Sequence, residues 1–138
     1  MALNSFLLDT SVLLSATIAP ERLPEKTAAR LRDPLNPVYF SAASIWEIGI
    51  KRSLERQRFD FYPEDIHHLA LSTDFTELPV RSVHCYEVAR LPWHHRDPFD
   101  RLLIAQAMTE QICLLTSDGT LSRYSDQVIC IKLRMLSG

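Results

Sequence analysis

Asp97-Pro98-Phe99-Asp100-Arg101-Leu102-Leu103-Ile104-Ala105-Gln106-Ala107, followed closely by Ile112-Cys113-Leu114-Leu115-Thr116, decides the architecture of this chain. Asp97 and Pro98 open a helix. The carboxylate accepts from free amides of the first turn, and proline at the first helical position gives up an N–H that has no helical partner. The residues that follow are apolar on nearly every side, so this helix is predicted to be buried rather than a surface amphipath. Ile112 to Thr116 is a short apolar run of the kind found in a strand covered on both faces. Asp100 breaks the pattern. At helical spacing it shares a face with Leu103, Ile104 and Ala107, and a carboxylate on such a stripe is costly unless it is paired, hydrogen-bonded or bound to a metal.

The same strand-then-helix pattern recurs on either side. Phe6-Leu7-Leu8 is a strand ending in Asp9-Thr10-Ser11, with a helix carrying Val12, Leu13 and Leu14 directly after it. Pro20 closes that piece, and Pro24-Glu25 opens a helix through Ala28, Ala29 and Leu31. Asp33-Pro34-Leu35-Asn36-Pro37 is a turn. Val38-Tyr39-Phe40 is a second strand, and Ser41 caps a helix to about Leu54. Glu55 to Asp60 reads as a polar, basic loop, and Pro63-Glu64 starts a helix through Ile66, Leu69 and Leu71. Glu77-Leu78-Pro79-Val80 is extended and precedes a helix from Ser82. Beyond the quoted stretch come a turn at Ser117-Asp118-Gly119 and a last strand, Val128 to Ile131. Short apolar strands alternating with helices predict a three-layer α/β sandwich, a central parallel sheet flanked by helices.

The bulk composition sets outer limits. The chain has 138 residues, 46% of them hydrophobic and 23% charged, with a formal charge of -2. A single domain over residues 1–138 is expected. No apolar run is long enough to span a membrane, and the first residues lack the pattern of a signal peptide, so a cytoplasmic location with no membrane partner is expected. Cys85, Cys113 and Cys130 have no ligand spacing and read as reduced core residues. The slight negative charge argues against broad, non-specific nucleic-acid binding, while leaving room for a narrow site in which acids hold cations. There is no His-Glu-x-x-His, no Gly-rich phosphate loop and no Gly-x-Ser-x-Gly.

Four carboxylates stand where chemistry is possible. Asp9 and Asp118 fall just beyond apolar strands, where ligands bind in open parallel sheets. Glu47 is bracketed by Ile45, Trp46, Ile48 and Ile50, and Asp100 lies on the stripe described above. Each has an ordinary alternative: a helix cap for Asp9, a turn for Asp118, an ion pair with Lys51 for Glu47, the positive helix end for Asp100. Asp97 is explained well as a cap.

Taken together, Phe6-Leu7-Leu8-Asp9-Thr10-Ser11, Ser44-Ile45-Trp46-Glu47-Ile48, Arg96 to Ala107 and Leu114-Leu115-Thr116-Ser117-Asp118 resemble PIN-domain ribonucleases over nearly the whole chain. The resemblance is closest to the VapC-type toxins of bacterial toxin–antitoxin pairs. It implies a PIN-like sandwich and a metal-dependent endoribonuclease using one or two Mg²⁺ or Mn²⁺ ions. By it, Asp9, Glu47, Asp100 and Asp118 are the catalytic, metal-binding carboxylates, and Asp97, Thr10 and Thr116 support them. Many relatives carry Asn at the position of Asp118 and a further Asp a few residues later, whereas the next acid here is Asp126. The resemblance also implies RNA as substrate, a cognate antitoxin that covers the acidic cleft, and a homodimer. Lys51, Arg52, Arg56 and Arg58 form a basic run, and Arg96 and Arg101 flank the quoted stretch. Of these, Lys51, Arg52, Arg56, Arg96 and Arg101 are the candidates for RNA phosphates. Trp46, Ile50, Leu54, Phe59, Phe61 and Tyr62 are candidates for a partner groove, with core burial the competing fate of each. Two rival readings remain at this level: a non-catalytic PIN-fold binding module, and a Mg²⁺-dependent phosphohydrolase acting on another substrate.

Overall fold

The computed structural model describes residues 4–55 and 57–135, so Arg56 of the basic run lies outside the described residues. Five strands form one sheet: β1 (Phe6–Leu8), β2 (Val38–Ser41), β3 (Thr76–Leu78), β4 (Cys113–Thr116) and β5 (Val128–Cys130). Their order is β3-β2-β1-β4-β5 and every pairing is parallel. Parallel neighbours need long crossovers, which are usually helical. The helices here are α1 (Thr10–Ile18), α2 (Glu25–Arg32), α3 (Ala42–Leu54), α4 (Pro63–Ser72), α5 (Ser82–Arg90) and α6 (Pro98–Glu110). None is long and apolar enough to cross a membrane.

All residues of β1 and β4 are buried, as expected of strands covered on both faces. Side chains alternate across the sheet. Phe6 and Leu8, with Val38, Phe40 and Leu115, pack against Val12 and Leu13 of α1, Ala28 and Leu31 of α2, Ile48 of α3 and Ile66 of α4. Leu7 and Leu114 face the other way, onto Val88 of α5 and Leu103, Ile104 and Ala107 of α6. The predicted burial of the α6 helix therefore holds, and the three-layer sandwich is the observed architecture.

Local sequence explains most of the boundaries. Asp9, Ser41 and Asp97 cap α1, α3 and α6 through their side chains. β3 begins one residue before the predicted Glu77 and stops ahead of Pro79, which has no N–H to give to a ladder. The Ser117–Gly119 turn continues into a 3-10 helix, Gly119–Arg123, which Asp118 caps. The expectation of three core cysteines is corrected. Only Cys113 is buried. Cys85 lies exposed on α5, and Cys130 is exposed at the end of β5, an edge strand of the sheet.

One feature of the topology positions the site. From β1 the chain steps outward through β2 to β3, then returns by way of α5 and α6 to β4 on the other side of β1. Segments leaving β1 and β4 thus diverge. This opens a crevice beyond their carboxyl ends, where ligands bind in sheets of this kind.

Candidate active site

Asp9 occupies that crevice, directly after β1. Its Oδ1 accepts from the Val12 amide at 2.9 Å and the Ser11 hydroxyl at 3.0 Å, and its Oδ2 from Thr116 Oγ1 at 2.6 Å. Thr116 is fully buried at the end of β4, so its hydroxyl ties the acid across the two strands that flank the switch point. Burial pushes the Asp9 carboxyl above its ordinary value, while the hydrogen bonds from Thr116, Val12 and Ser11 pull it down.

Glu47 comes from α3 and is buried. Its Oε1 accepts from Thr10 Oγ1 at 2.7 Å, and its Oε2 pairs with Lys51 Nζ at 2.9 Å. The Thr10 oxygen also lies 3.0 Å from Ser44 Oγ. The ion pair expected of a surface Glu47 is therefore present, but the carboxylate itself sits inside. Burial pulls the Lys51 ammonium down and its contact with Glu47 more than offsets this, leaving it above the usual lysine value.

Asp97 accepts from the Phe99 amide at 2.8 Å and the Asp100 amide at 3.1 Å. One turn on, Asp100 Oδ2 lies 2.8 Å from His95 Nε2. Its carboxyl is pushed up to about 6, chiefly by burial and then by the Asp97 charge, against the pull of His95. Asp118 accepts from the Thr120 hydroxyl at 2.7 Å and the Thr120 amide at 3.0 Å, and the hydroxyl contact holds it below the usual carboxylate value. Its Oδ2 is 4.0 Å from the same His95 nitrogen.

Asp9, Thr10, Glu47, Lys51, Asp97, Asp100 and Asp118 line one cleft of about 340 Å³. All four candidate ligands are therefore brought together, from both halves of the chain, with Asp97 beside them. Within the cleft the acids are not equally spaced. Among the described residues, the group whose potential ligand atoms all lie within 4.8 Å of one another is His95, Asp100 and Asp118. His95 was missed in the sequence, which offered only a histidine in the loop before a helix cap.

The basic candidates separate. Lys51 lines the cleft and Arg96 is exposed next to Asp97. Arg52 is paired with Asp60 and stacked 3.8 Å over the Tyr62 ring. Arg101, the remaining candidate, is buried, 3% exposed. Its guanidinium donates to the Pro92 carbonyl at 2.9 Å, the Val88 carbonyl at 3.1 Å and Tyr124 Oη at 3.2 Å. It also lies 3.8 Å from the Trp93 ring centre. A planar fork with five donors can close a loop in this way.

The model of the family described as PIN domain matches residues 6–127. The chain belongs to the PIN domain family. A comparison with curated protein sequences gave no match. Among solved structures, this PIN domain resembles VapBC2 from Rickettsia felis bound to a promoter DNA fragment, with 14% identity and a TM-score of 0.69 over 94% of this chain and 98% of that one. It resembles DNA-bound VapBC from Salmonella typhimurium at 14% identity and TM-score 0.66, over 93% and 97% of the two chains. A third structure, VapC20 of Mycobacterium tuberculosis, is described as a sarcin-ricin loop cleaving toxin and matches at 19% identity and TM-score 0.55, over 88% and 97%. At these identities the likeness is one of fold. It runs nearly the full length of both partners in each case.

Proposed function

We propose that this PIN domain is the toxin of a toxin–antitoxin pair, an endoribonuclease that hydrolyses RNA phosphodiester bonds with one or two carboxylate-bound Mg²⁺ or Mn²⁺ ions. The observation that carries the reading is the convergence of Asp9, Glu47, Asp97, Asp100 and Asp118 on one cleft at the switch point of the sheet. Five acids around one cleft repel each other unless cations join them, and the Asp100 carboxyl is raised first by burial and then by the Asp97 charge. Their oxygens suit hard divalent ions. Asp9, Glu47, Asp100 and Asp118 are the proposed ligands. A bound ion of this kind supplies a deprotonated water and neutralises charge on the phosphate.

The remaining residues hold these groups still. Thr116 and Thr10 fix the carboxylates of Asp9 and Glu47, and Asp97 orients the first turn of α6 so that Asp100 faces the cleft. Lys51 at the wall and Arg96 at the rim are the proposed contacts to RNA phosphates, which position a strand without reading its sequence. The proposed partners are an antitoxin that covers the acidic cleft and a second copy of the chain, in the cytoplasm.

The deciding experiment incubates the purified, antitoxin-free chain with a mixed RNA pool in Mg²⁺, Mn²⁺ or EDTA. Cleavage is expected with either ion and not with EDTA, and Asp9→Asn and Asp100→Asn each lower it by more than about 100-fold. Cleavage that persists in EDTA or in both variants overturns the mechanism. Binding of RNA without cleavage favours a non-catalytic module.

A further inference from the structure

His95 is the residue at this site to which neither the fold nor the acid pattern gives a role. Its Nε2 lies 2.8 Å from Asp100 Oδ2 and 4.0 Å from Asp118 Oδ2, within the group whose donor atoms are mutually close. Ligands about 2.1 Å from one ion stand roughly 3 Å apart when adjacent and about 4.2 Å apart when opposite. The three side chains of this group approach that spacing with little rearrangement.

The backbone that carries His95 is also held in place. The His95 carbonyl accepts from Tyr124 Oη at 3.3 Å and from Arg101 Nη1 at 3.4 Å. The same guanidinium grips the carbonyls of Pro92 and Leu91, and His94 packs edge-on against the Tyr124 ring. A loop tied at four points presents His95 to the cleft on a fixed backbone. This is what a dependable ligand requires.

We infer that His95 is a nitrogen donor to the divalent ion shared by Asp100 and Asp118, and that it biases the site toward Mn²⁺ over Mg²⁺. Imidazole suits transition metals, whereas Mg²⁺ prefers oxygen and keeps its waters. The inference rests on the proposed metal-dependent reading and adds a residue and a selectivity to it.

The test uses the full chain stripped of metal, with Mn²⁺ and Mg²⁺ alone as probes. Calorimetric titration of the wild type, His95→Phe and His95→Gln is compared with pulsed electron paramagnetic resonance of the Mn²⁺-loaded proteins. A thermal melt of each metal-free variant checks that it folds. Expected are nitrogen-14 modulation of the wild-type Mn²⁺ signal, its loss in both variants, and Mn²⁺ affinity lowered about tenfold while Mg²⁺ affinity stays within about twofold. Mn²⁺ that binds wild type without nitrogen modulation overturns the inference and leaves the carboxylate site standing. Tighter binding of both ions by the variants also overturns it, because His95 then competes with metal for Asp100. If wild type binds neither ion, the proposed function itself falls, and this inference with it.

Discussion

Asp100 and Arg101 are neighbours in sequence and opposites in use. Asp100 faces the cleft with its carboxyl raised to about 6 by burial and by Asp97. An acid whose folded value lies above its ordinary 3.8 favours the folded state fully below 3.8, and that contribution is lost as pH rises through about 6. Metal-free protein is therefore expected to melt at higher temperature at pH 5 than at pH 7.5. Asp9 acts with the same sign and Asp118 with the opposite one, so the difference between wild type and Asp100→Asn isolates the Asp100 share. That difference should shrink when Mg²⁺ is added at pH 7.5. Arg101 spends its charge inward. Replacing it by Met removes the donor to the Pro92 carbonyl and one of two donors to the Val88 carbonyl, which keeps the Leu91 amide, and a loss of about 2 kcal/mol in urea denaturation is expected. Arg101→Lys should recover little of it, because an ammonium cannot reach several carbonyls and stack on Trp93 together. Both variants should keep wild-type RNA affinity at temperatures where they are folded.

At the scale of elements, cap chemistry made the starts of α1, α3 and α6 readable, since a side chain accepting from amides two or three residues ahead is local information. The apolar runs of β1, β2 and β4 were readable for the same reason. Arg101 was not. Its partners lie in the Val88–His95 segment and on Tyr124, and no spacing rule reports a contact made across a loop. His95 escaped notice likewise, because its role depends on where that loop is tied. Cys85 and Cys130 were misjudged because residue type states an average preference for burial, while exposure follows from which face or edge an element presents. The end of α6 shows a compromise the sequence does not advertise: Gln111 closes it with φ 58° and ψ 49°, a conformation that costs a residue with a Cβ about 1 kcal/mol. Its side chain is exposed. Gln111→Gly is expected to stabilise the protein by about 0.5–1 kcal/mol in chemical denaturation, leaving RNA cleavage unchanged.

Across the whole molecule, acidic and apolar surfaces lie side by side. Trp46, Ile50, Val88, Phe99 and Leu102 line a groove of about 450 Å³ between α3, α5 and α6, with Trp46 63% exposed and set edge-on to Phe99. Of the apolar side chains singled out in the sequence, Trp46 and Ile50 belong to this groove, Phe59 lines the acidic cleft, and Leu54 and Tyr62 are exposed elsewhere. Exposed aromatic clusters of this sort serve as anchors for partner chains. Trp46→Ala is expected to shift the protein toward monomer in sedimentation, with its metal-free melting temperature nearly unchanged. Oligomers as stable as wild type would move the proposed self-association to another face.

The central position of β1 has a consequence in time as well as in space. The first strand to be synthesised pairs with β4, and Thr116 reaches Asp9 from 107 residues away. Contacts so distant in sequence form late and slowly. A chain emerging from the ribosome holds Asp9 and Glu47 long before β4 exists to bring Asp118 beside them. Until that strand docks, no acidic cleft is assembled, and translation itself delays the moment at which the proposed nuclease can act on the RNA around it.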